Sequence, residues 1–318
     1  MSDFKKVLVT GGAGFIGGHL VERLTKSGYE VTVLDNLSTG KLSNISDSLQ
    51  TSRVNFIEGD VTDSEIAGQC VKTIDAVIHL AAVASVPYSL QNPVLTYKTN
   101  ADGTLGLLNS SVTANVKKFV FVSTCAVYGE PYLLPVTENH PTHPISPYAS
   151  SKLQAEHQCM NFQQNNGLKT VILRLFNVYG PRQCSSEYSG VITKFIERAE
   201  RGLPLTIYGD GTQTRDFVHV SDVVDVLVRA LEDENAEGQV FNIGFGQPVS
   251  VNELAKSVLN LVGLDLGIVY EKPRKGDLQH TFADVSKAKN LLRYSPKVQL
   301  ADGLRTVFGL SAKVTDQT

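Results

Sequence analysis

The chain has 318 residues, and its 29 Lys and Arg against 32 Asp and Glu give a formal net charge of −3. This balance removes the electrostatic reason to expect nucleic acid or an anionic membrane as the main partner. The hydrophobic fraction of 42% and the charged fraction of 19% are typical of a globular protein and argue against extensive disorder. No apolar run reaches the roughly 20 residues of a membrane span. Because the first residues lack a secretory signal's apolar segment, we expect a cytoplasmic protein.

The four cysteines (Cys70, Cys125, Cys159 and Cys184) form no CxxC pair. We therefore expect free thiols in a reducing compartment, with neither a disulfide framework nor a metal site.

Short β-branched runs alternate with helical patterns through the first half of the chain. The runs lack clean polar alternation, as expected of strands buried on both faces of a parallel sheet. The predicted strands are 6–10, 30–34, 54–58, 75–80, 118–123 and 169–175, and the predicted helices are about 15–27, 93–115 and 148–166. This alternation predicts an α/β fold with a Rossmann-like doubly wound parallel sheet.

After about residue 180 the strands become shorter and irregular segments more frequent, with predicted helices near 191–201, 221–233 and 251–262. We predict a first domain over residues 1–180 and a smaller mixed α/β substrate-binding domain over residues 181–318. A segment near 215–245 is expected to return to the main sheet. Residues 124–147 hold five of the twelve prolines, which predicts a stiff loop bordering a site at the carboxyl ends of the strands.

A glycine-rich turn follows the first predicted strand. Gly11, Gly14 and Gly17 allow a tight turn whose backbone N–H groups can approach a pyrophosphate at a helix N-terminus. Asp35, at the end of the second strand, can accept hydrogen bonds from ribose hydroxyls and repel a 2′-phosphate. These features predict that the first domain binds NAD rather than NADP. Asp60, at the end of the third strand, is expected near the adenine.

A second pattern places Tyr148 and Lys152 four residues apart, on one face of a predicted helix. An ammonium and a nicotinamide cation nearby would lower the pKa of the phenol, so that Tyr148 could act as a base toward a sugar hydroxyl. Thr124, at the end of a strand, is expected to hydrogen-bond that hydroxyl.

These residues belong to a longer set of motifs over about residues 5–308 that resembles the extended short-chain dehydrogenases/reductases, and within them the nucleotide-sugar 4-epimerases. The motifs are 10–17 (TGGAGFIG), 35–40 (DNLSTG), 59–63 (GDVTD), 79–82 (HLAA), 123–129 (STCAVYG), 148–152 (YASSK), 176–183 (FNVYGPRQ), 209–220 (GDGTQTRDFVHV), 242–244 (NIG) and 283–288 (ADVSKA).

The resemblance implies roles for individual residues. Tyr148 would be the catalytic base, Lys152 its partner and Thr124 the residue that bonds the sugar hydroxyl. The implied NAD contacts are Gly11, Gly14, Phe15, Ile16, Gly17, Asp35, Asn36, Ser38, Thr39, Gly40, Asp60, Val61, Leu80, Ala81, Ala82, Tyr148 and Lys152. The implied substrate contacts are Ser85, Thr124, Tyr148, Asn177, Val191, Arg215, Arg274, Asp277 and Thr281. Among these, the fork-shaped guanidinium groups of Arg215 and Arg274 suit a diphosphate.

The reaction is chosen by differences within the family. The resembling 4,6-dehydratases have an Asp-Glu pair after the catalytic Thr, where this chain has Cys125 and Ala126. We therefore expect a UDP-sugar 4-epimerase that keeps tightly bound NAD and passes through a 4-keto sugar. UDP-glucose and UDP-galactose are the expected substrates. The resemblance also implies a gate position four residues after Asp277, where a bulky Tyr would exclude N-acetylated sugars. The small Thr281 occupies this position, so UDP-GlcNAc and UDP-GalNAc are expected as additional substrates.

Three alternatives stay open at this point: a UDP-glucuronate 4-epimerase, another oxidoreductase or dehydratase of the same family, and a binding protein that kept the fold without catalysis. The resemblance also implies a homodimer formed through helices at about 101–115 and 148–166. His79, in a predicted buried strand, is interpreted as a hydrogen-bonded structural residue rather than a catalyst.

Overall fold

A seven-stranded parallel sheet forms the centre of the computed structural model, which describes residues 4–183, 190–273 and 278–309. Its strands are β1 (Lys6–Thr10), β2 (Glu30–Asp35), β3 (Val54–Glu58), β4 (Ala76–His79), β5 (Lys118–Thr124), β6 (Lys169–Leu175) and β11 (Gln239–Ile243). They lie in the order β11-β6-β5-β4-β1-β2-β3, with every neighbouring pair parallel. The chain order reverses at β1, where a doubly wound sheet opens its binding crevice. The predicted fold class is confirmed.

Helices cover both faces of this sheet. One face packs α1 (Phe15–Lys26) and α9 (Val220–Glu232), and the other packs α3 (Ser64–Val71), α6 (Gly103–Thr113) and α7 (Pro147–Asn166). Successive side chains of a strand point to opposite faces. Val7 and Val9 accordingly lie in the apolar core between the sheet and α1 and α9, whereas Leu8 lies in the core on the opposite face.

The helix predicted over 93–115 is interrupted. It is built from α5 (Pro93–Tyr97), a π-helical turn over Lys98–Asp102, and α6. Short helices α2 (Ser46–Leu49) and α4 (Val86–Gln91) complete the first half. The interruption turns the side chain of Asn100 toward the loop after β4, where it hydrogen-bonds the backbone of Val83.

Three small strand pairs and four helices form most of the second half. The strands are β7 (Asn177–Tyr179), β8 (Leu205–Tyr208), β9 (Thr214–Arg215), β10 (Phe217–His219), β12 (Val249–Ser250) and β13 (Ile268–Glu271); the helices are α8 (Val191–Glu200), α10 (Val251–Val262), α11 (Ser286–Leu292) and α12 (Leu300–Val307). A third apolar core, with Phe195 and Leu254 fully buried, joins α8, α10 and α12. Because β11 lies in the central sheet beside β6, the second half contributes one strand to the first. The domain boundary at residue 180 stays a prediction. Among the described helices, none is both long and apolar enough to cross a membrane.

Candidate active site

The glycine-rich turn lies between β1 and α1, at the reversal point of the sheet. Gly11 has a φ of 69°, which an L side chain rarely adopts. A Cβ at Gly17 would overlap the carbonyl oxygen of Gly11, so the turn is closed by backbone against backbone. Phe15 and Ile16 begin α1 directly after this turn. The turn is therefore a cradle that any side chain would fill, at the end of a helix that attracts anions.

Acidic side chains mark the ends of the next two strands. The carboxylate of Asp35 accepts hydrogen bonds from the backbone N–H groups of Ala13 (2.9 Å) and Leu37 (2.8 Å). Burial raises its pKa, and these two hydrogen bonds oppose the shift. The Asn36 amide donates to Asp60 at 2.7 Å. Asp35 is thus held to the glycine turn, and Asp60 is held to the residue that follows Asp35.

The other residues predicted to contact NAD follow the carboxyl ends of neighbouring strands. Ser38, Thr39 and Gly40 lie in the loop after β2, Val61 follows β3, and Leu80, Ala81 and Ala82 follow β4. The sheet topology therefore gathers residues from four strands along one edge. This edge fits an extended dinucleotide, with the phosphate-binding turn near its middle.

Tyr148 lies in the first turn of α7, facing Thr124 at the end of β5. The side chain of Thr124 is the neighbour that favours the charged form of the Tyr148 phenol. Burial nevertheless raises the pKa of the phenol to about 12, and the effect of Thr124 only partly opposes this shift. The residues of the protein alone therefore favour the neutral phenol, because desolvation outweighs the polar neighbours. The lowered pKa expected with a nicotinamide cation nearby stays a prediction.

Lys152 lies one turn further along α7 and is only 3% exposed. Its ammonium lies 4.1 Å from the centre of the Phe121 ring, a cation–π contact. Burial lowers the pKa of Lys152 to about 7, while Cys159 and Glu156 act in the opposite direction. The predicted trio of Thr124, Tyr148 and Lys152 thus lies between β5 and α7, in a strongly desolvated environment.

The residues after Thr124 carry no carboxyl group. Burial raises the pKa of the Cys125 thiol to about 12, so this side chain is a neutral neighbour of Tyr148 at ordinary pH. Ala126 donates its backbone N–H to Thr124 at 3.2 Å and has no polar side chain. Neither residue that follows Thr124 therefore offers a carboxyl group as a general acid or base.

The predicted substrate residues come from several elements. Asn177 begins β7, Val191 begins α8, and Arg215 ends β9 with its guanidinium donating to the Thr214 carbonyl at 2.8 Å. Thr281 is 5% exposed, and its backbone N–H donates to Thr214 at 3.2 Å.

Two predicted contacts cannot be placed, and one has a local role. Arg274 and Asp277 lie outside the described residues. Ser85 caps α4, accepting the backbone N–H of Tyr88 at 3.1 Å.

A cleft of about 690 Å³ opens beside the Arg215 strand, and none of its lining residues was a predicted site residue. It is lined by Tyr208, Gly209, Asp210, Gln213, Tyr270, Glu271, Pro273, Leu278 and Gln279. The motif 209–220 gave a signal for part of this wall, but Tyr270 comes from β13, which carries no motif. Two tyrosines in one cleft offer flat apolar faces with polar edges, which suit a planar heterocyclic base.

A glycine cradle on a parallel sheet, together with Tyr148 and the buried Lys152 two strands away beside β5, indicates a dinucleotide-dependent enzyme that performs proton and hydride chemistry. Residues 7–244 match the model of the NAD dependent epimerase/dehydratase family. The chain belongs to this family, and NAD is its cofactor. Of the described residues, no group of His, Cys, Asp and Glu is arranged to hold a metal ion.

Three solved structures show how far the similarity extends. The chain is 42% identical to UDP-glucose 4-epimerase from Thermotoga maritima, solved with UDP-glucose, with a TM-score of 0.91 over 96% of this chain and 97% of that one. It is 36% identical to UDP-N-acetylglucosamine 4-epimerase from Methanobrevibacter ruminantium, with a TM-score of 0.92 over 97% and 98% of the two chains. It is 37% identical to UDP-glucuronic acid 4-epimerase from Bacillus cereus, solved with UDP-glucuronic acid and NAD, with a TM-score of 0.90 over 96% and 98%. The predicted resemblance to nucleotide-sugar 4-epimerases is confirmed.

Proposed function

We propose that the protein is a UDP-sugar 4-epimerase that interconverts UDP-glucose and UDP-galactose. The observation that carries this proposal is the placement of Thr124 at the end of β5 next to Tyr148 and the buried Lys152 on α7, with no carboxyl group at positions 125 and 126. A dehydratase needs an acid and a base for water elimination in addition to redox at C4. Cys125 and Ala126, which follow Thr124, supply neither a carboxylic acid nor a carboxylate, so these residues support only oxidation and reduction at C4.

The residues of the site divide the work as follows. Thr124 holds the sugar 4-hydroxyl, and Tyr148 takes its proton as C4 is oxidised to a ketone. NAD, when bound, would supply reversible hydride transfer at C4. Tyr148 then returns the proton to the C4 oxygen as the ketone is reduced to the new 4-hydroxyl. Because oxidation and reduction at C4 cancel, the overall reaction consumes no cofactor. The ammonium of Lys152 favours the phenolate form of Tyr148 electrostatically.

The diphosphate would be held by Arg215 and Arg274, with Asp277 and Asn177 as further contacts. The heterocyclic base of the nucleotide would lie in the cleft lined by Tyr208 and Tyr270. Anchoring the nucleotide while the sugar turns lets one base and one hydride site serve both faces of C4. This arrangement uses binding energy far from the reacting carbon, as catalysis by orientation requires.

The sugar series is proposed from Thr281, a small residue on the segment that bridges to β9. Its size leaves room for an N-acetyl group, so UDP-GlcNAc and UDP-GalNAc are proposed as additional substrates. Thr281→Tyr should lower the turnover of N-acetylated sugars relative to plain ones. An unchanged ratio would contradict the gate. The similarity to a UDP-glucuronic acid 4-epimerase supports UDP-glucuronate as the second candidate.

The deciding experiment incubates the purified protein with UDP-galactose, UDP-GalNAc and UDP-galacturonate separately and identifies each product. Formation of UDP-glucose without accumulation of NADH supports the proposal. Stoichiometric NADH with a released 4-keto sugar would instead show a net oxidoreductase. Turnover of UDP-galacturonate alone would replace the proposed substrate by the second candidate.

We also propose a cytoplasmic homodimer. Leu105 is 37% exposed on α6, one of the helices for which the resemblance implies pairing, and Val94 and Leu95 on the preceding α5 are 81% and 46% exposed. Cys70, Cys125 and Cys159 are free thiols, in keeping with a reducing compartment. Light scattering of the wild type and of Val94→Glu tests the dimer. A wild-type mass of 34.5 kDa in solution would contradict it.

A further inference from the structure

A buried histidine lies at the end of the central strand β4 and is not among the residues that line the cleft. His79 ends β4 and is fully buried, with its ring 5.9 Å from that of Phe119 and 5.8 Å from that of Phe121. Both of its ring nitrogens are within hydrogen-bond distance of threonine hydroxyls, Nδ1 at 2.6 Å from Thr10 and Nε2 at 2.9 Å from Thr104. The mechanism uses none of these three side chains, although they join the glycine turn to the catalytic helix.

The hydrogen bonds have only one consistent direction. The hydroxyl of Thr104 donates its single proton to the Asn100 carbonyl at 2.6 Å, so it must accept from Nε2 of His79. With the proton on Nε2, the neutral ring accepts at Nδ1 from Thr10. The Thr10 hydroxyl in turn accepts the backbone N–H of Ala81 at 3.2 Å. An imidazolium would break this order, because it has no acceptor for the Thr10 proton.

The series of hydrogen bonds continues from Asn100 to Tyr148, the proposed catalytic base. The Asn100 side-chain amide donates to Ser151 at 3.0 Å, and the Ser151 hydroxyl donates to the carbonyl of Tyr148 at 2.9 Å. Asn100 lies in the π-helical turn, a local irregularity that is frequent at functional sites. One buried series of hydrogen bonds therefore runs from the residue before the glycine turn to the first turn of α7.

The neutral form of His79 also matters to Lys152. The ammonium of Lys152 contacts the same Phe121 ring that packs against His79. Burial, with a smaller contribution from Lys152, lowers the pKa of His79 to about 3. A charged ring here would repel the ammonium that the phenolate needs.

We propose that His79 is a positioning residue for the epimerase reaction: as a neutral ring protonated on Nε2, it links Thr10 at the cofactor turn to Thr104 and Asn100, which hold the helix turn of Tyr148. This inference rests on the proposed 4-epimerase activity. It gives a role to a polar ring that packs against two phenylalanines. Its consequence is that the cofactor turn and the base move as one unit.

The test compares His79→Phe, Thr104→Val and the double variant, assayed with UDP-galactose alongside NAD content. A misplacement of the base by a fraction of an ångström should lower kcat about 10- to 100-fold in each single variant. KM for the UDP-sugar should stay within about twofold, and NAD should remain bound, since their contacts are untouched. Because both changes interrupt the same series of hydrogen bonds, kcat of the double variant should lie close to that of the worse single variant.

Thr96→Val is the matched control. Thr96 is fully buried, and its hydroxyl donates to the carbonyl four residues before it, as that of Thr104 does. Thr96 does not belong to the series of hydrogen bonds through His79. Its kcat should equal that of the wild type. The inference is wrong if kcat of His79→Phe and Thr104→Val is unchanged, if their effects multiply, or if Thr96→Val loses as much. A wild-type protein that does not convert UDP-galactose would instead overturn the proposed function.

Discussion

The buried ion pair of Arg174 and Glu156 gives the sharpest prediction about stability. Arg174 lies on β6, and Glu156 lies on α7 one turn after Lys152. The guanidinium reaches both carboxylate oxygens, with Nη2 at 2.6 Å and Nε at 3.0 and 3.1 Å. Glu156 has no exposed surface, and its only other described partner is the hydroxyl of Ser123. Removing Arg174 therefore leaves a carboxylate in an apolar interior with a single hydrogen bond.

Arg174→Met should lower the free energy of unfolding by about 3–5 kcal/mol, which is the cost of leaving one member of a buried pair unpaired. The loss also removes the donor to the Tyr128 hydroxyl at 2.9 Å. The double variant Arg174→Met/Glu156→Leu should lose less than Arg174→Met alone, because no uncompensated charge remains. Urea unfolding at equal NAD occupancy is the assay, since bound ligand adds to apparent stability.

Asp225→Asn is the matched control. It breaks the exposed pair with Arg23, whose atoms lie 3.3 Å apart with about half of each side chain exposed. Its cost should be below about 1 kcal/mol. A loss in Arg174→Met no larger than this control would refute the reasoning, and so would a double variant that loses the sum of both single changes.

Three further outcomes are expected. Tyr148→Phe should lower kcat by about 10²–10⁴-fold with NAD still bound, measured by turnover and cofactor release; substantial residual activity would contradict the base assignment. Gly17→Ala should abolish NAD retention, because its Cβ would overlap Gly11, whereas Gly106→Ala meets no atom within 4 Å and should retain NAD. Burial lowers the pKa of His79 from its ordinary 6.5 to about 3, so between these values the ring is neutral in the folded protein and protonated in the unfolded one, and its stabilising contribution falls as pH drops from 6.5 toward 3. The stability difference between wild type and His79→Phe should therefore shrink over this range in acid unfolding curves, and a constant difference would refute the assignment.

Much of the fold could be predicted because it depends on local patterns. Strand β1 begins and ends where the apolar run does, since a strand buried on both faces needs little else. The interrupted helix at 93–115 could not be predicted, because its π turn depends on Asn100 meeting Val83 and Ser151 in three dimensions. The same holds for the cleft, where Tyr208 and Tyr270 come from strands that pair only in the folded chain.

The chemistry of the site was harder to predict than its position. The spacing of Tyr148 and Lys152 correctly indicates one helix face, yet spacing carries no information about desolvation. Burial moves both pKa values against the charged forms, that of Tyr148 to about 12 and that of Lys152 to about 7. The lowered pKa of Tyr148 depends on the nicotinamide cation and stays a prediction, but residue spacing could not show the cost of removing both groups from water.

This cost suggests why the base and the cofactor share one edge of the sheet. At neutral pH the residues of the protein alone favour a neutral phenol, so Tyr148 is not a base until further positive charge lies nearby. The desolvation that suppresses the phenolate also strengthens its attraction to any cation brought close. A site built in this way removes protons only when its cofactor is in place, and a firm link between the cofactor turn and α7 is what such a dependence requires.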